Sequence, residues 1–222
     1  MPSSLPHDPL TNGAYHITYR LAGSLPRSIL LDLTNRRLRN LSQLEAEVTH
    51  LQEGDREELL RVGQNRINER HELAIDEALD ALSSSTPYHL QRTDIAAIVL
   101  NSWQYLDKSG QVNVWAVCIM GNHVHVILSA GIELDEVDLG EVMERHKGFT
   151  ARMANRLLGL TGSPFWEPGY FDRRIRSGKF QRVMWYVLNN PVKAKLVNKW
   201  TEWPHTWVHP EYEPMFTGVI PA

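Results

Sequence analysis

The 222 residues carry 42% hydrophobic side chains, enough for one large domain or a domain with an appendage. The single cysteine, Cys118, excludes a disulfide within the chain, so a reducing cytoplasm is the expected setting. No run approaches about eighteen apolar residues, and the start, MPSSLPHDPL, is polar and proline-rich, so neither a membrane span nor a signal peptide is expected.

The net charge of −3 hides an uneven distribution. Gly140 to Trp200 holds 12 Lys or Arg against 4 Asp or Glu, whereas Leu41 to Ser85 holds 4 against 11. The basic part is where a phosphate backbone would lie.

In chain order, residues 14–22 (AYHITYRLA) alternate and read as a strand. Tyr15, Ile17 and Tyr19 share one side; His16, Thr18 and Arg20 share the other. Residues 28–37 carry no clear pattern. Residues 41–82 read as two or three acidic amphipathic helices, with Gly54 and Gly63 as interruptions and SSSTP (83–87) as a break. RTDIAAIVLNSWQYL is a helix with Thr93 or Asp94 as its N-cap. Strands follow at 112–120 and 123–130, joined by a tight turn at Gly121-Asn122. Residues 134–159 read as a long helix with a stripe of Leu139, Val142, Met143, Phe149, Met153 and Leu157. A loop (159–164), a short strand within 165–177 and a helix over 178–190 complete this part, the helix ending near Pro191. The tail from about 198 is rich in Trp and Pro.

The chemistry concentrates in two stretches. In WAVCIMGNHVHVILSA (115–130), His123 and His125 sit two apart in an apolar β-branched run, so both imidazoles leave one face of a sheet. They offer two metal ligands at one point. In WYVLNNPVKAKLV (185–197), Tyr186 and Asn190 are four apart and share a helical face, about 5–6 Å apart at Cβ. Asn190 offers an amide oxygen as a third ligand, and the mixed nitrogen and oxygen set suits Mg²⁺ or Mn²⁺ better than structural zinc. A tyrosine phenol, with a reference pKa of about 10, is a poor nucleophile until a cation offsets its charge. Attack on a DNA phosphate would conserve the phosphodiester energy in a phosphotyrosine. Satisfied core histidines, a packed tyrosine and a helix-end asparagine are each an ordinary alternative; their coincidence argues for a site. Arg20, Lys147, Arg173, Arg174, Arg176, Arg182 and Lys193 are candidate DNA contacts, with Arg174 and Arg176 on one strand face. Trp166, Tyr170 and Trp185 are candidate stacking platforms, with burial favoured for Trp185.

These stretches, with YHITYRL (15–21), CIMGNHVHVIL (118–128), HKGFTARMANRLLG (146–159), FWEPGYFDRRIRS (165–177) and YVLNNPVKAKLV (186–197), resemble the single-tyrosine HUH transposases, and among them the REP-associated tyrosine transposases. The resemblance implies an α+β fold. Its antiparallel sheet would be of ferredoxin or RNA-recognition-motif type with helices packed on it, the two histidines lying on the central strand. Residues 1–222 would form one HUH domain, with an acidic helical insertion at about 41–86 and a tail at about 198–222. The resemblance further implies Mg²⁺- or Mn²⁺-dependent cleavage and joining of single-stranded or hairpin DNA, at the nucleoid in the cytoplasm. His123, His125 and Asn190 match the metal ligands and Tyr186 the nucleophile. The loop at 159–164 permits either a monomer or a homodimer. Two departures stand out: Gly121 where the family has Pro in Met-Pro-Asn-His, and Lys195 where it has Gly in Ala-Gly-Leu. The rival expectations are a catalytically silent hairpin-binding module, a nuclease in which water attacks, and a small-molecule metalloenzyme.

Overall fold

The fold is that of a computed structural model, which describes residues 9–82 and 87–217. Contacts divide the chain into two units, residues 1–22 with 87–222, and residues 23–86.

The larger unit is a sheet with helices on it. Strand β1 (Tyr15–Arg20) leads, after the second unit, to α3 (Thr93–Lys108), β2 (Val112–Ile119), β3 (His123–Ala130), α4 (Leu139–Leu158) and β4 (Phe171–Arg174). Helices α5 (Phe180–Leu188) and α6 (Asn190–Lys193), strand β5 (Thr206–Val208) and helix α7 (Glu213–Thr217) complete it. The strands run β4-β1-β3-β2-β5, every pair antiparallel. The first four reproduce the order of a ferredoxin-like sheet, so the expected α+β class holds and β3 is central.

Side-chain alternation divides the core by face. Tyr15, Ile17 and Tyr19 of β1, with Val124, Val126 and Leu128 of β3, pack with Val99 and Trp103 of α3 and Val142 and Met143 of α4. Ala116, Cys118 and Ile127 on the other face pack with Met184, Val187 and Leu188 of α5 and with Trp203, Val208 and Phe216 of the tail. The tail is thus part of the sheet unit: β5 pairs with β2, and the Trp203 indole N–H donates to the Ile119 carbonyl at 2.9 Å.

Several local expectations change. The N-cap position of α3 is Arg92; Asp94 instead accepts from the Ile95 amide at 2.9 Å and pairs with Arg92 at 2.7 Å. Helix α4 starts at Leu139 because the Asp138 carboxylate caps it, accepting from the Glu141 amide at 3.1 Å. Its buried face is Leu139, Val142, Met143, His146, Thr150 and Ala154, while Phe149 and Leu157 are exposed. The inward side chains of His146 and Thr150 are hydrogen-bonded. Trp103 Nε1 donates to Tyr19 Oη at 2.9 Å, so the Tyr19 hydroxyl donates to His146 Nε2 at 2.7 Å and His146 Nδ1 donates to Ser102 Oγ at 2.9 Å. Thr150 accepts from Trp166 Nε1 at 2.9 Å. The turn at Gly121 explains the absent proline, since any Cβ there would run into the ring of Tyr88.

The smaller unit is a helical hairpin of α1 (Arg27–Val48), which absorbs the unassigned 28–37, and α2 (Glu53–Ala81). The break between them is at 49–52. Gly54 and Gly63 both lie inside α2, and Gly63 admits the Leu44 side chain of α1 into the space of its missing Cβ. Most of the break expected at 83–87 lies outside the described residues. Among the described residues no helix is long and apolar enough to cross a membrane.

Candidate metal and tyrosine site

Register builds the site. Thr18 lies opposite His125 and Arg20 opposite His123, so His16, Thr18, Arg20, His123 and His125 share the face that α5 covers. Both β3 imidazoles are fully buried. Asn122 Oδ1 stands 2.7 Å from His123 Nδ1, which makes that nitrogen the donor and leaves the lone pair on Nε2. His125 Nδ1 lies 3.1 Å from both Thr18 Oγ1 and His16 Nε2, either of which can accept its proton. The two Nε2 atoms are 3.1 Å apart. Ligands at a right angle on one octahedral ion, with bonds of about 2.1 Å, sit about 3 Å apart.

Burial keeps the His125 and His16 rings neutral, which for His125 is the ligating form. Burial, then Lys193, pushes His125 down to about 3. Burial, then His125 and Arg173, holds His16 well below its ordinary range.

Helix α5 brings the tyrosine. It buries Met184, Val187 and Leu188, and half-buried Tyr186 meets His16 and His125 edge-on, with ring centroids 5.9 and 6.1 Å away. Lys193 Nζ lies 5.8 Å from the Tyr186 ring centroid. The helix ends at Leu188 rather than at Asn190. Asn190 opens α6, where Pro191 occupies a first-turn position that needs no amide hydrogen. Asn190 Nδ2 still donates to the Tyr186 carbonyl at 3.2 Å, which carries the four-residue relation across the break. Asn190 is fully buried, and its Oδ1 has no hydrogen-bond partner. A buried amide oxygen in that state costs about 1–3 kcal/mol unless water or a cation meets it. The apposed Nε2 atoms offer two ligands to a divalent ion, and the orphaned Asn190 oxygen is the candidate third.

The cationic candidates separate. Arg173 pairs with His16 across β1 and β4 and shares the histidine face; Arg174 pairs with Tyr15 and belongs to the other. Arg176 lies beyond β4, so it shares no strand face with Arg174. Arg20 is buried against Glu167, 3.5 Å away. Lys147 donates to the carbonyls of Glu167 and Gly169 at 2.8 and 2.7 Å, and burial lowers its ammonium to about 8. Arg182 and Lys193 are exposed. Trp166 is buried and closed to bases, whereas Trp185 is 38% exposed, the reverse of its expected burial. Sequence reasoning missed Asn122 and the orienting role of Thr18, and left His16 undecided. The signal was present, since period-two alternation in β1 sets His16 and Thr18 on one face.

Residues 88–190 match the family model described as "Transposase IS200 like". A solved structure of a REP-associated tyrosine transposase bound to a REP hairpin is similar over 99% of this chain and 88% of its own, with a TM-score of 0.53 at 14% identity. The structure of a proposed transposase from Deinococcus radiodurans aligns with 86% of this chain and 98% of its own, at a TM-score of 0.37 and 11% identity. The comparison with curated proteins found no match. The sheet order sets a histidine pair on the central strand with a helix tyrosine beside it. Residues 88–190, just under half of the chain, are thus similar to the IS200-like transposases.

Proposed function

We propose that the protein is a metal-dependent endonuclease and strand transferase of single-stranded DNA that works through a 5′-phosphotyrosine at hairpin-forming sites. The observation that carries this reading is Tyr186 seated against the neutral His16 and His125 rings, with the His123 and His125 Nε2 atoms 3.1 Å apart. His123, His125 and Asn190 would hold Mg²⁺ or Mn²⁺, which supplies Lewis-acid polarisation of the phosphate. Thr18 and Asn122 hold the imidazoles in the ligating tautomer. The Tyr186 oxygen forms a bond to phosphorus as the bond to the 3′ oxygen breaks. The phenol proton leaves to water, and the departing 3′ oxygen takes one up. Lys193 offsets phenolate charge and Arg173 meets the phosphate backbone. Attack by a free 3′ hydroxyl on the phosphotyrosine reverses the step without ATP. The REP-hairpin-bound fold relative supports a hairpin substrate.

The test is labelled single-stranded DNA from the gene's own flanks, incubated with protein and Mn²⁺ and run on a denaturing protein gel. A labelled band at protein mass that disappears in Tyr186→Phe and with EDTA is the expected result. Cleavage that survives Tyr186→Phe overturns the tyrosine mechanism in favour of hydrolysis. Retarded DNA on a native gel without any covalent band, across substrates and metals, makes the protein a binding module.

A further inference from the structure

Trp185 adjoins the nucleophile on α5, yet it is 38% exposed, while Met184, Val187 and Leu188 on the same helix are buried. A tryptophan left in solvent forgoes burial of one of the largest apolar side chains. Its ring is held: Phe216 of α7, itself buried, meets it edge-on with centroids 5.0 Å apart. Phe216 is fixed in turn, its carbonyl accepting from Trp200 Nε1 at 3.2 Å. One helical turn before Trp185, Arg182 is exposed, and Lys179 precedes the helix; α5 carries no acidic residue. An exposed aromatic face, supported from one edge and flanked by cations, is what an unpaired base next to a phosphate requires.

We infer that Trp185 is the stacking platform for an unpaired nucleobase flanking the scissile phosphate, with Arg182 contacting the adjacent backbone phosphate. This rests on the function proposed above and adds a recognition residue to it. The stretch of strand concerned is short, because Trp185 and Tyr186 are neighbours and a strand advances about 3.4 Å per stacked nucleotide. The platform therefore reads a base within about two nucleotides of the cleaved bond. Stacking tolerates every base, so Trp185 sets how firmly the flank is held more than which base is there.

The experiment uses the full chain carrying Tyr186→Phe, so that binding is measured apart from cleavage. Oligonucleotides of one hairpin with its single-stranded flank carry an abasic site at each flank position in turn. With Trp185 present, one position near the cleavage point should weaken binding by roughly 5- to 150-fold when abasic. In Trp185→Ala that position should lose its penalty, and Trp185→Phe should keep most of it. Circular dichroism establishes that each variant is folded. An abasic penalty equal at every position in the presence and absence of Trp185 overturns the inference. It leaves the tyrosine mechanism standing, because the covalent-band assay judges that separately. Conversely, a position-specific loss without any covalent band would keep the platform and remove the enzyme.

Discussion

At Asn122 a single acceptor decides which nitrogen of His123 holds the proton, and so which nitrogen is left to bind a cation. Replacing it with leucine, of similar shape, removes the acceptor 2.7 Å from Nδ1. Loss of such an orienting partner weakens metal affinity about 10- to 100-fold. Isothermal titration of Asn122→Leu with Mn²⁺ should show that loss; unchanged affinity would mean that the ring needs no outside help. A second residue-scale prediction concerns Lys195, the only described non-glycine residue with positive φ, at 58°. It stands where the related family has glycine, just beyond α6, in a left-handed conformation that costs an L side chain about 1–2 kcal/mol. Part of that returns as the extra unfolded-state entropy of glycine. Lys195→Gly should therefore stabilise the protein by about 1 kcal/mol or less, raising Tm by roughly 2–4 °C. A lower Tm on a thermal melt would show that the lysine side chain holds more than its backbone costs.

At the scale of elements, legibility followed how far a local pattern matched its burial. Period-two alternation groups His16, Thr18 and Arg20 on β1 and His123 and His125 on β3, but only the register of the two strands puts both groups on one face. α4 misled in its second half because its inward face contains His146 and Thr150, which an apolar count rejects and a hydrogen-bond network accepts. β5 was hidden because three residues of an edge strand carry too little periodicity. Asn190 was legible as a partner of Tyr186, but the break at Asn189 was not, since Pro191 both ends one helix and starts another. The α4 network makes a pH prediction. Burial, then Lys147, lowers His146 to about 3, against 6.5 for an ordinary imidazole. The unfolded chain therefore takes up a proton below about pH 6.5 that the folded chain refuses until about pH 3. The stability tied to His146 is full above that window and is lost as pH falls through it, at about 1.4 kcal/mol per pH unit. Urea melts between pH 7.5 and 4 should show His146→Asn less stable at pH 7.5 but declining less steeply than the parent. Parallel declines would mean that His146 is not the titrating group.

Across the whole molecule, charge follows the chain's division. All of the acidic excess of Leu41 to Ser85 belongs to the helical unit, while the basic excess of Gly140 to Trp200 belongs to the unit with the sheet. A net charge of −3 is thus no obstacle to a phosphate backbone meeting only the basic stretch from Gly140 to Trp200. Within that unit the register of β4 against β1 separates two adjacent arginines. Arg173 stands opposite His16 on the histidine face, and Arg174 stands opposite Tyr15 on the other. A strand lying across Tyr186 would reach Arg173 and pass by Arg174. Each phosphate contact to single-stranded nucleic acid contributes about 0.7 to the slope of log affinity against log salt. Titrations of single-stranded DNA at several salt concentrations should therefore give Arg173→Ala a slope shallower by about 0.7, with Arg174→Ala unchanged. Equal slopes in the two variants would put the DNA on another face of the sheet. A change confined to Arg174 would move it to the α3 and α4 side, where Tyr15 is buried.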